Sequence, residues 1–345
     1  MRTPVSIGVV GPRDSQLAHA FDDSALAEVR WTCDEWIPTP ARDRLRIERL
    51  RTHRLDELLA DETLDAVAVA APASLRLALV RQALEADKHV YVEGPLSVRA
   101  DDTLALLRLA DRRNRRLMVG HALLFDPGVH KLKELIEVGR LGEVYYLTAT
   151  VTTTLRGVGD ESILASPGAD AVATIIHLLG DEPIAASAAS DSYVDAAAPE
   201  VATCSLRFAT GITASLELSC LDAREQCRIS VVGSRRTAVF DAAEPLRKVT
   251  IYERGTLRGA EIVCPRVAIG DPLRLQCDAF LTGVRSSIAH PTTRITPTVA
   301  RVLEAFAAEG PGAVPLSVGA VVARSRLRLA EPERKEGVSL STKQR

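Results

Sequence analysis

The sequence predicts an α/β protein that begins with a doubly wound parallel sheet and continues into an α+β domain with a large open, mostly antiparallel sheet. In the first third of the chain, short apolar strand patterns alternate with amphipathic helical patterns, which is typical of βαβ units. After about residue 126, strand patterns with alternating apolar and polar residues follow one another. A length of 345 residues is enough for two domains that each bury a core.

Five short apolar runs predict the strands of the parallel sheet. They are residues 5–10, 29–33, 66–70, 89–92 and 117–119. Four segments in which apolar residues recur every three or four positions predict helices between these strands. They are residues 41–51, 55–60, 74–86 and 101–113. Because ligands of such a sheet bind beyond the carboxyl ends of its strands, we expect the functional site at that edge.

The pattern of the second domain starts with a helix, a long strand and another helix. These are residues 127–138, 143–154 and 169–179. Three strands that put one face in and one face out follow at residues 203–208, 212–218 and 228–232. Two further helices are predicted at residues 273–287 and 296–308. We therefore divide the chain into domains at 1–121 and 122–330, with a polar tail at 331–345.

The charge balance argues against nucleic acid and membrane surfaces as partners. The chain has 43 Lys and Arg against 45 Asp and Glu, so no basic excess exists to neutralise a phosphate backbone. The apolar run at residues 66–71 is broken by Pro72 and is far shorter than the roughly 18 residues of a membrane helix. The apolar run before Gly11 is too short for a secretory signal, so we expect a cytoplasmic protein with a small-molecule ligand.

The cysteine pattern indicates neither a disulfide framework nor a metal site. None of the six cysteines forms a C-x-x-C pair, and no histidine stands at metal-ligand spacing from them. Buried free thiols are the expected state, and no metal is expected. Aromatic residues make up only 4% of the chain, so the core is predicted to be aliphatic.

An ordered set of short motifs runs along nearly the whole chain. The set consists of Ile7-Gly8-Val9-Val10-Gly11, Glu93-Gly94-Pro95-Leu96, Met118-Val119-Gly120-His121, Phe125-Asp126-Pro127 and Leu178-Leu179-Gly180-Asp181-Glu182-Pro183. In this order it resembles the glucose-fructose oxidoreductase and inositol dehydrogenase family (Gfo/Idh/MocA), most closely the members that act on nucleotide-linked amino sugars. The resemblance implies an N-terminal Rossmann domain for NAD or NADP and a C-terminal domain whose open sheet shapes the substrate pocket.

The same resemblance implies a homodimer or a homotetramer. In the family, the outer face of the second sheet pairs with another subunit. We expect an exposed face of Ala, Val and Leu on the strands between residues 203 and 232, which would need such cover.

Four residues are candidates for cofactor binding, namely Gly11, Arg13, Asp34 and Glu93. The second and third glycines of the family's G-x-G-x-x-G turn correspond to Arg13 and Gln16. Arg13 would crowd the usual phosphate path, pair with a phosphate, or lie in solvent as a loop charge. Asp34, 23 positions after Gly11, either accepts the ribose hydroxyls of NAD or caps a turn.

The Glu93-Gly94-Pro95 segment matches the family's Glu-Lys-Pro turn. In the family, the lysine places a positive charge near the nicotinamide and the reacting hydroxyl. Gly94 supplies neither charge nor proton, while Pro95 is expected to keep the turn, often a cis peptide in relatives. Arg76 stands where relatives often carry a histidine near the cofactor.

The family's catalytic Asp-x-x-x-His pair corresponds to Ser166 and Asp170. Asp170 acts as a carboxylate base, or binds a substrate hydroxyl or ammonium, or is a helix-start carboxylate bonded to backbone N–H groups. His121 either faces the ligand or bonds to backbone. His177 lies two helical turns beyond Asp170 and is expected in the core or at an interface.

These departures from the family pattern predict a pseudo-oxidoreductase that keeps the fold and discards hydride transfer. Its cleft would then serve a non-redox reaction on a small polar, sugar-like metabolite, such as a cyclisation, elimination or epimerisation that uses Asp170 and His121. Alternatively, the chain is a non-catalytic sensor or partner of an active relative. A further alternative is an NAD- or NADP-dependent oxidoreductase of a sugar or cyclic polyol with Asp170 as base.

Overall fold

Six parallel strands form the first of two sheets in the computed structural model, in the spatial order β3-β2-β1-β4-β5-β6. The structure describes residues 3–12, 15–33, 50–52, 54–154, 162–194, 198–253, 262–286, 291–308 and 314–316. The strands are β1 (Val5–Val10), β2 (Ala27–Cys33), β3 (Leu50–Thr52), β4 (Ala66–Val69), β5 (His89–Glu93) and β6 (Leu117–Gly120). The strand order reverses between β1 and β4, which makes this a doubly wound sheet with a switch point there. The prediction of a parallel sheet is confirmed.

Helices cover the faces of this sheet. They are α1 (Gln16–Asp22), α2 (Leu55–Leu59), α3 (Ala73–Glu85) and α4 (Ala100–Arg112). The sequence analysis missed α1, a helix of only two turns whose start is capped by the Ser15 hydroxyl. The predicted helix at 41–51 is wrong at its end, because residues 50 and 51 belong to β3 and pair with β2. Its other residues, 41–49, lie outside the described residues.

The second sheet has nine strands in the described part of the chain, in the order β14-β13-β12-β11-β7-β10-β9-β8-β15. They are β7 (Val144–Thr152), β8 (Pro183–Asp191), β9 (Val201–Phe208), β10 (Thr213–Ser219), β11 (Gln226–Gly233), β12 (Arg236–Asp241), β13 (Val249–Glu253), β14 (Ile262–Val263) and β15 (Val314–Pro315). The neighbours β7 and β10 are parallel, and the other pairs are antiparallel. The predicted open, mostly antiparallel sheet is confirmed.

The strands β9 and β10 have one buried and one exposed face. On β9, Cys204 and Leu206 are buried, whereas Ser205 and Arg207 between them are exposed. On β10, the exposed positions are likewise Thr213, Ser215 and Glu217. The expectation of an exposed apolar face on these strands is therefore wrong, because the aliphatic residues all point to the core and leave polar residues outside.

Four further helices pack between the two sheets and around them. They are α5 (Pro127–Glu137), α6 (Ser166–Leu179), α7 (Pro272–Arg285) and α8 (Pro291–Ala307). A 3₁₀ turn at Ala122–Phe125 leads from β6 into α5. Helix α7 returns to contact α1 and β1, and α8 contacts α4, β6 and α6. Helix α8, which also contacts β8, thus connects the first sheet to the second. The polar tail predicted at 331–345 lies outside the described residues.

An aromatic cluster holds α7 against the first sheet. The rings of Phe21, Tyr91 and Phe280 meet edge to face, with centroids 5.6–6.3 Å apart. The Tyr91 hydroxyl donates a hydrogen bond to Gln276 Oε1 at 3.0 Å. Burial raises the pKa of Tyr91 well above its usual range, so the hydroxyl stays protonated as a donor. Through Tyr91, this cluster fixes the position of α7 relative to β5.

The six cysteines are all free thiols, as predicted. Three of them, Cys33, Cys204 and Cys277, are buried, but Cys264 is exposed, which corrects the expectation that all are buried. Burial raises the pKa of Cys204 and of Cys227 to about 12, so these thiols are poor nucleophiles. Among the described residues, no group of metal-ligating side chains is present, and no helix is long and apolar enough to cross a membrane.

The half-buried His89 at the start of β5 predicts a pH-dependent stability. Burial, with the nearby Arg115, lowers the pKa of His89 to about 4, and its Nδ1 accepts a hydrogen bond from the Arg116 N–H at 2.9 Å. The unfolded chain binds this proton near pH 6.5, so stability is lost as the pH falls from about 6.5 to about 4.

We expect urea unfolding to show that His89→Asn, which keeps an acceptor, removes about 1–2 kcal/mol of the stability loss between pH 7 and pH 4. Equal losses in the wild type and the variant would show that His89 is not the group responsible.

Candidate functional site

A histidine and an aspartate meet at the carboxyl edge of the first sheet. His121 follows β6 directly, and Asp170 lies in the second turn of α6. His121 Nδ1 is 2.8 Å from Asp170 Oδ1. The His121 side chain is 1% exposed and that of Asp170 is 38% exposed. The structure therefore joins the two predicted catalytic residues into a pair that is buried at the imidazole and open at the carboxylate.

Close packing at the end of β6 holds His121 in this position. A Cβ on the preceding residue, Gly120, would lie 2.5 Å from the Tyr91 hydroxyl oxygen, so the aromatic cluster requires a glycine there. Asp170 is held by α6, where Thr174 Oγ1 donates to the Asp170 backbone carbonyl at 2.7 Å. The two residues thus sit on rigid elements from the two halves of the molecule.

The contact replaces the backbone bonds that the sequence offered as one alternative for each residue. Asp170 accepts its described hydrogen bond from a side chain, not from the backbone of the helix start. His121 Nδ1 bonds to Asp170, not to backbone. When Asp170 is ionised, the contact places a proton on Nδ1 that it donates to Oδ1. The second carboxylate oxygen can then accept a proton from a ligand in the cleft.

The turn after β5 leaves no room for a side chain at position 94. The Gly94–Pro95 peptide is cis, as expected from the resemblance. A Cβ on Gly94 would overlap the Gly120 carbonyl oxygen and would lie 3.3 Å from Cε1 of His121. A lysine at this position, as the family pattern has, would therefore require the ends of β5 and β6 to move apart.

A buried arginine supports the same turn. Arg76, in the first turn of α3, is 6% exposed. Its Nε donates to the Ala71 carbonyl at 2.7 Å, and its Nη1 donates to the Pro95 carbonyl at 3.0 Å. Sequence reasoning noted Arg76 only as a departure from the family pattern. From the sequence, Arg76 is recognisable only as a cation near the carboxyl edge of the sheet. Its hydrogen bonds to backbone carbonyls are visible only in the structure.

The predicted cofactor residues are only partly described. Gly11 directly follows β1, and a Cβ there would lie 2.5 Å from the carbonyl oxygen of Ala70, the residue after β4, so this close approach requires glycine. This fits the first glycine of a dinucleotide turn. Arg13 and Asp34 lie outside the described residues. Glu93 is half-buried at the end of β5, one residue before the position where the family carries its lysine.

The third glycine position of that turn is Gln16, the first residue of α1. The side chain of Gln16 is exposed, and the buried Leu17 and Ala18 pack the helix on the sheet in its place. The described residues therefore fit a dinucleotide at Gly11, while positions 16 and 94 depart from the family pattern.

His177 does not belong to the His121–Asp170 pair. It lines a separate groove of about 580 Å³ between α5, α6 and α7. Its ring centroid lies 6.5 Å from that of His130, whose Nε2 contacts the Leu124 carbonyl at 2.8 Å. His177 is half-buried on the wall of this groove.

Two family models match most of the described chain. Residues 7–121 match a model described as an oxidoreductase family with an NAD-binding Rossmann fold, GFO_IDH_MocA. Residues 129–239 match the GFO/IDH/MocA C-terminal domain. The boundary between the two matches falls where the 3₁₀ turn leaves the first sheet.

Two relatives in sequence are sugar-nucleotide reductases. A stretch of 159 residues is 32% identical to dTDP-3,4-didehydro-2,6-dideoxy-alpha-D-glucose 3-reductase of Saccharopolyspora spinosa, covering 43% of this chain and 46% of that protein. A protein of the same name from Streptomyces violaceoruber is 34% identical over 105 residues, 30% of this chain and 31% of that protein. The chain thus spans less than half the length of these curated relatives.

A solved structure with the same fold is a 3-ketoreductase from Actinomadura kijaniata in complex with TDP-benzene and NADP, in an open conformation. It superposes with a TM-score of 0.76 at 21% identity and covers 88% of this chain and 97% of its own. At this identity, the likeness shows the fold.

The close approach at position 94 predicts a large effect of a single methyl group. We expect Gly94→Ala to lower the free energy of unfolding by about 1–3 kcal/mol, because the Cβ meets a backbone carbonyl that cannot move alone. The matched control is Gly270→Ala, whose Cβ would meet the mobile end of Leu275 at 2.9 Å. We expect the control to change stability by no more than about 0.5 kcal/mol in chemical denaturation. A neutral or stabilising Gly94→Ala would contradict the closed turn.

Proposed function

The chain belongs to the Gfo/Idh/MocA oxidoreductase family, whose models match residues 7–121 and 129–239, and within this family we propose that it is a pseudo-oxidoreductase. It keeps the family fold and uses the cleft for proton transfer on a small polar, sugar-like metabolite, without hydride transfer. The observation that carries this proposal is the 2.8 Å contact between His121 Nδ1 and Asp170 Oδ1, with the carboxylate open to the cleft.

Asp170 acts as the proton acceptor in this proposal. Its free carboxylate oxygen takes a proton from a carbon next to a carbonyl group of the substrate; the C–H electron pair forms the C=C bond of an enolate, and the carbonyl π pair moves onto oxygen. Solvent then protonates the opposite face of the enolate while Asp170 loses its proton to solvent, or the enolate expels a leaving group from the neighbouring carbon, and the leaving group takes the proton of Asp170. The first outcome is an epimerisation and the second is an elimination.

His121 keeps Asp170 oriented throughout this cycle. The imidazole is almost completely buried. Among the described residues, its hydrogen bond is the one between Nδ1 and Asp170 Oδ1. Its Nδ1–H offsets the negative charge of the carboxylate before proton transfer and hydrogen-bonds the protonated form afterwards. A buried, immobile partner holds the carboxylate in one geometry, which proton transfer requires.

The closed turn at position 94 supports a role without hydride transfer. In the family, a lysine there would hold the developing alkoxide of the reacting hydroxyl. Here the space that its Cβ would need is occupied by the Gly120 carbonyl. The buried Arg76 points its described donors at backbone carbonyls, so its charge stabilises the turn.

An NAD- or NADP-dependent oxidoreductase acting on a sugar or cyclic polyol is the second candidate. The observation in its favour is Gly11, whose close approach to Ala70 fits a phosphate turn. A bound nicotinamide would supply hydride transfer, and Asp170 would take the proton of the reacting hydroxyl. Gly11 and Glu93, with Arg13 and Asp34 outside the described residues, are the residues that would hold it.

An assembly of two or four copies is proposed as well, through the polar outer face of β9 and β10. Sedimentation of the purified chain measures this directly.

We expect Asp170→Asn to lower the rate of deuterium incorporation into a keto sugar in heavy water by about 10²- to 10⁴-fold, because the amide cannot accept a proton. The assay uses a panel of free and nucleotide-linked keto sugars, without added nicotinamide, and follows the lost proton signal by NMR. Asp181→Asn is the matched control, because it makes the same substitution just beyond the end of α6. An unchanged rate in Asp170→Asn would rule out the carboxylate as proton acceptor.

Nicotinamide content separates the two candidates. Denaturing the purified protein and identifying released nucleotides by mass and absorbance should show less than one equivalent of NAD or NADP. A full equivalent of nicotinamide, together with its oxidation or reduction by a sugar substrate, would replace the first candidate with the second.

A further inference from the structure

A small cavity lies beside the imidazole of His121. It has a volume of about 10 Å³ and is bounded by the loop after β5, by α4, by β6 and by α8. Its polar lining comes from Ser97, Thr103, His121 and Thr296, and most of the remainder is aliphatic. A volume near 10 Å³ is about what one water molecule requires.

Two polar atoms that belong to residues lining this cavity are buried and have no hydrogen-bond partner among the described residues. They are His121 Nε2 and Thr103 Oγ1. Both side chains are only 1% exposed, so solvent outside the protein does not satisfy them. Buried polar groups are almost always paired, and each unpaired one costs about 1–3 kcal/mol.

The other two hydroxyl groups on the wall already have partners. Thr296 Oγ1 donates to the Thr292 carbonyl at 2.8 Å. Ser97 Oγ accepts from the Arg99 N–H at 3.0 Å. The unmet hydrogen-bonding capacity around the cavity is therefore concentrated on His121 and Thr103.

We propose that one internal water molecule occupies this cavity, bound by His121 Nε2 and Thr103 Oγ1, and that Thr103 is thereby a positioning residue for the His121–Asp170 pair. The water site follows from the cavity and the two unpaired atoms. The positioning role rests on the proposed function of Asp170.

The hydrogen bonds of this site run in one direction. The Thr103 hydroxyl donates to the water oxygen, and the water donates to the lone pair of His121 Nε2. Because Nε2 is then an acceptor, the imidazole carries its proton on Nδ1 and donates it to Asp170 Oδ1. Thr103 thus selects the tautomer of His121 in which the ring donates to the catalytic carboxylate.

Two substitutions at position 103 test the proposal. Thr103→Val keeps the shape of the side chain and removes the hydroxyl, while Thr103→Ser keeps the hydroxyl. In protein labelled with nitrogen-15 in histidine, we expect the Nε2 resonance of His121 to show a hydrogen-bonded acceptor in the wild type and in Thr103→Ser. In Thr103→Val it should move toward the position of an unbonded nitrogen. The His121→Gln variant assigns the resonance.

A crystal structure of the wild type tests the site without any variant. Density for a water within hydrogen-bond distance of His121 Nε2 and Thr103 Oγ1 is expected. A dry cavity, a direct bond between the two side chains, or an Nε2 resonance that ignores Thr103→Val would overturn the proposal.

The deuterium-incorporation rate tests the positioning role. Thr103→Val should reduce kcat about tenfold with KM unchanged, as for the loss of one hydrogen bond, and Thr103→Ser should restore it. Unchanged kcat in Thr103→Val would overturn the positioning role. The nitrogen-15 and crystallographic results do not depend on activity, so they stand or fall separately from the function proposed for Asp170.

Discussion

The contact between the turn after β5 and the end of β6 is the constraint on which the cleft depends. Gly94 packs so tightly against the Gly120 carbonyl that no side chain fits between them. The same contact brings the His121 ring beside the turn, and Arg76 holds the turn from below through the carbonyl of Pro95. This close backbone approach therefore leaves no room for a lysine side chain at position 94. It also places the imidazole of His121 within hydrogen-bond distance of Asp170 on α6.

The second sheet matters to the site because it carries α6. The buried side chains of α6, such as Val172 and Ile175, anchor the helix in the core, and Asp170 projects from it toward the first sheet. The returning helices α7 and α8 pack on the first sheet and fix the distance across the cleft. The pair of His121 and Asp170 is thus a consequence of how the two halves are held together, and the chemistry proposed for it requires both.

The sequence predicts the sheets well because their signal is local. Strands such as β1 and β9 show their period in a few consecutive residues. The contact between His121 and Asp170 spans 49 positions and depends on the packing of α6 against the 3₁₀ turn after β6, which no local pattern encodes. Thr103 is harder still, because a hydroxyl in an amphipathic helix predicts an exposed position, whereas the packing of α8 buries it. The short helix α1 was missed because two turns carry too little periodicity.

The central claim is that this family fold transfers protons without a hydride. The most direct test follows one keto sugar and one nicotinamide in the same sample of wild-type protein in heavy water. The account predicts that deuterium enters the sugar at the carbon next to its carbonyl while the nicotinamide absorbance stays constant. Consumption of reduced nicotinamide in step with loss of the carbonyl, without deuterium at that carbon, would contradict it.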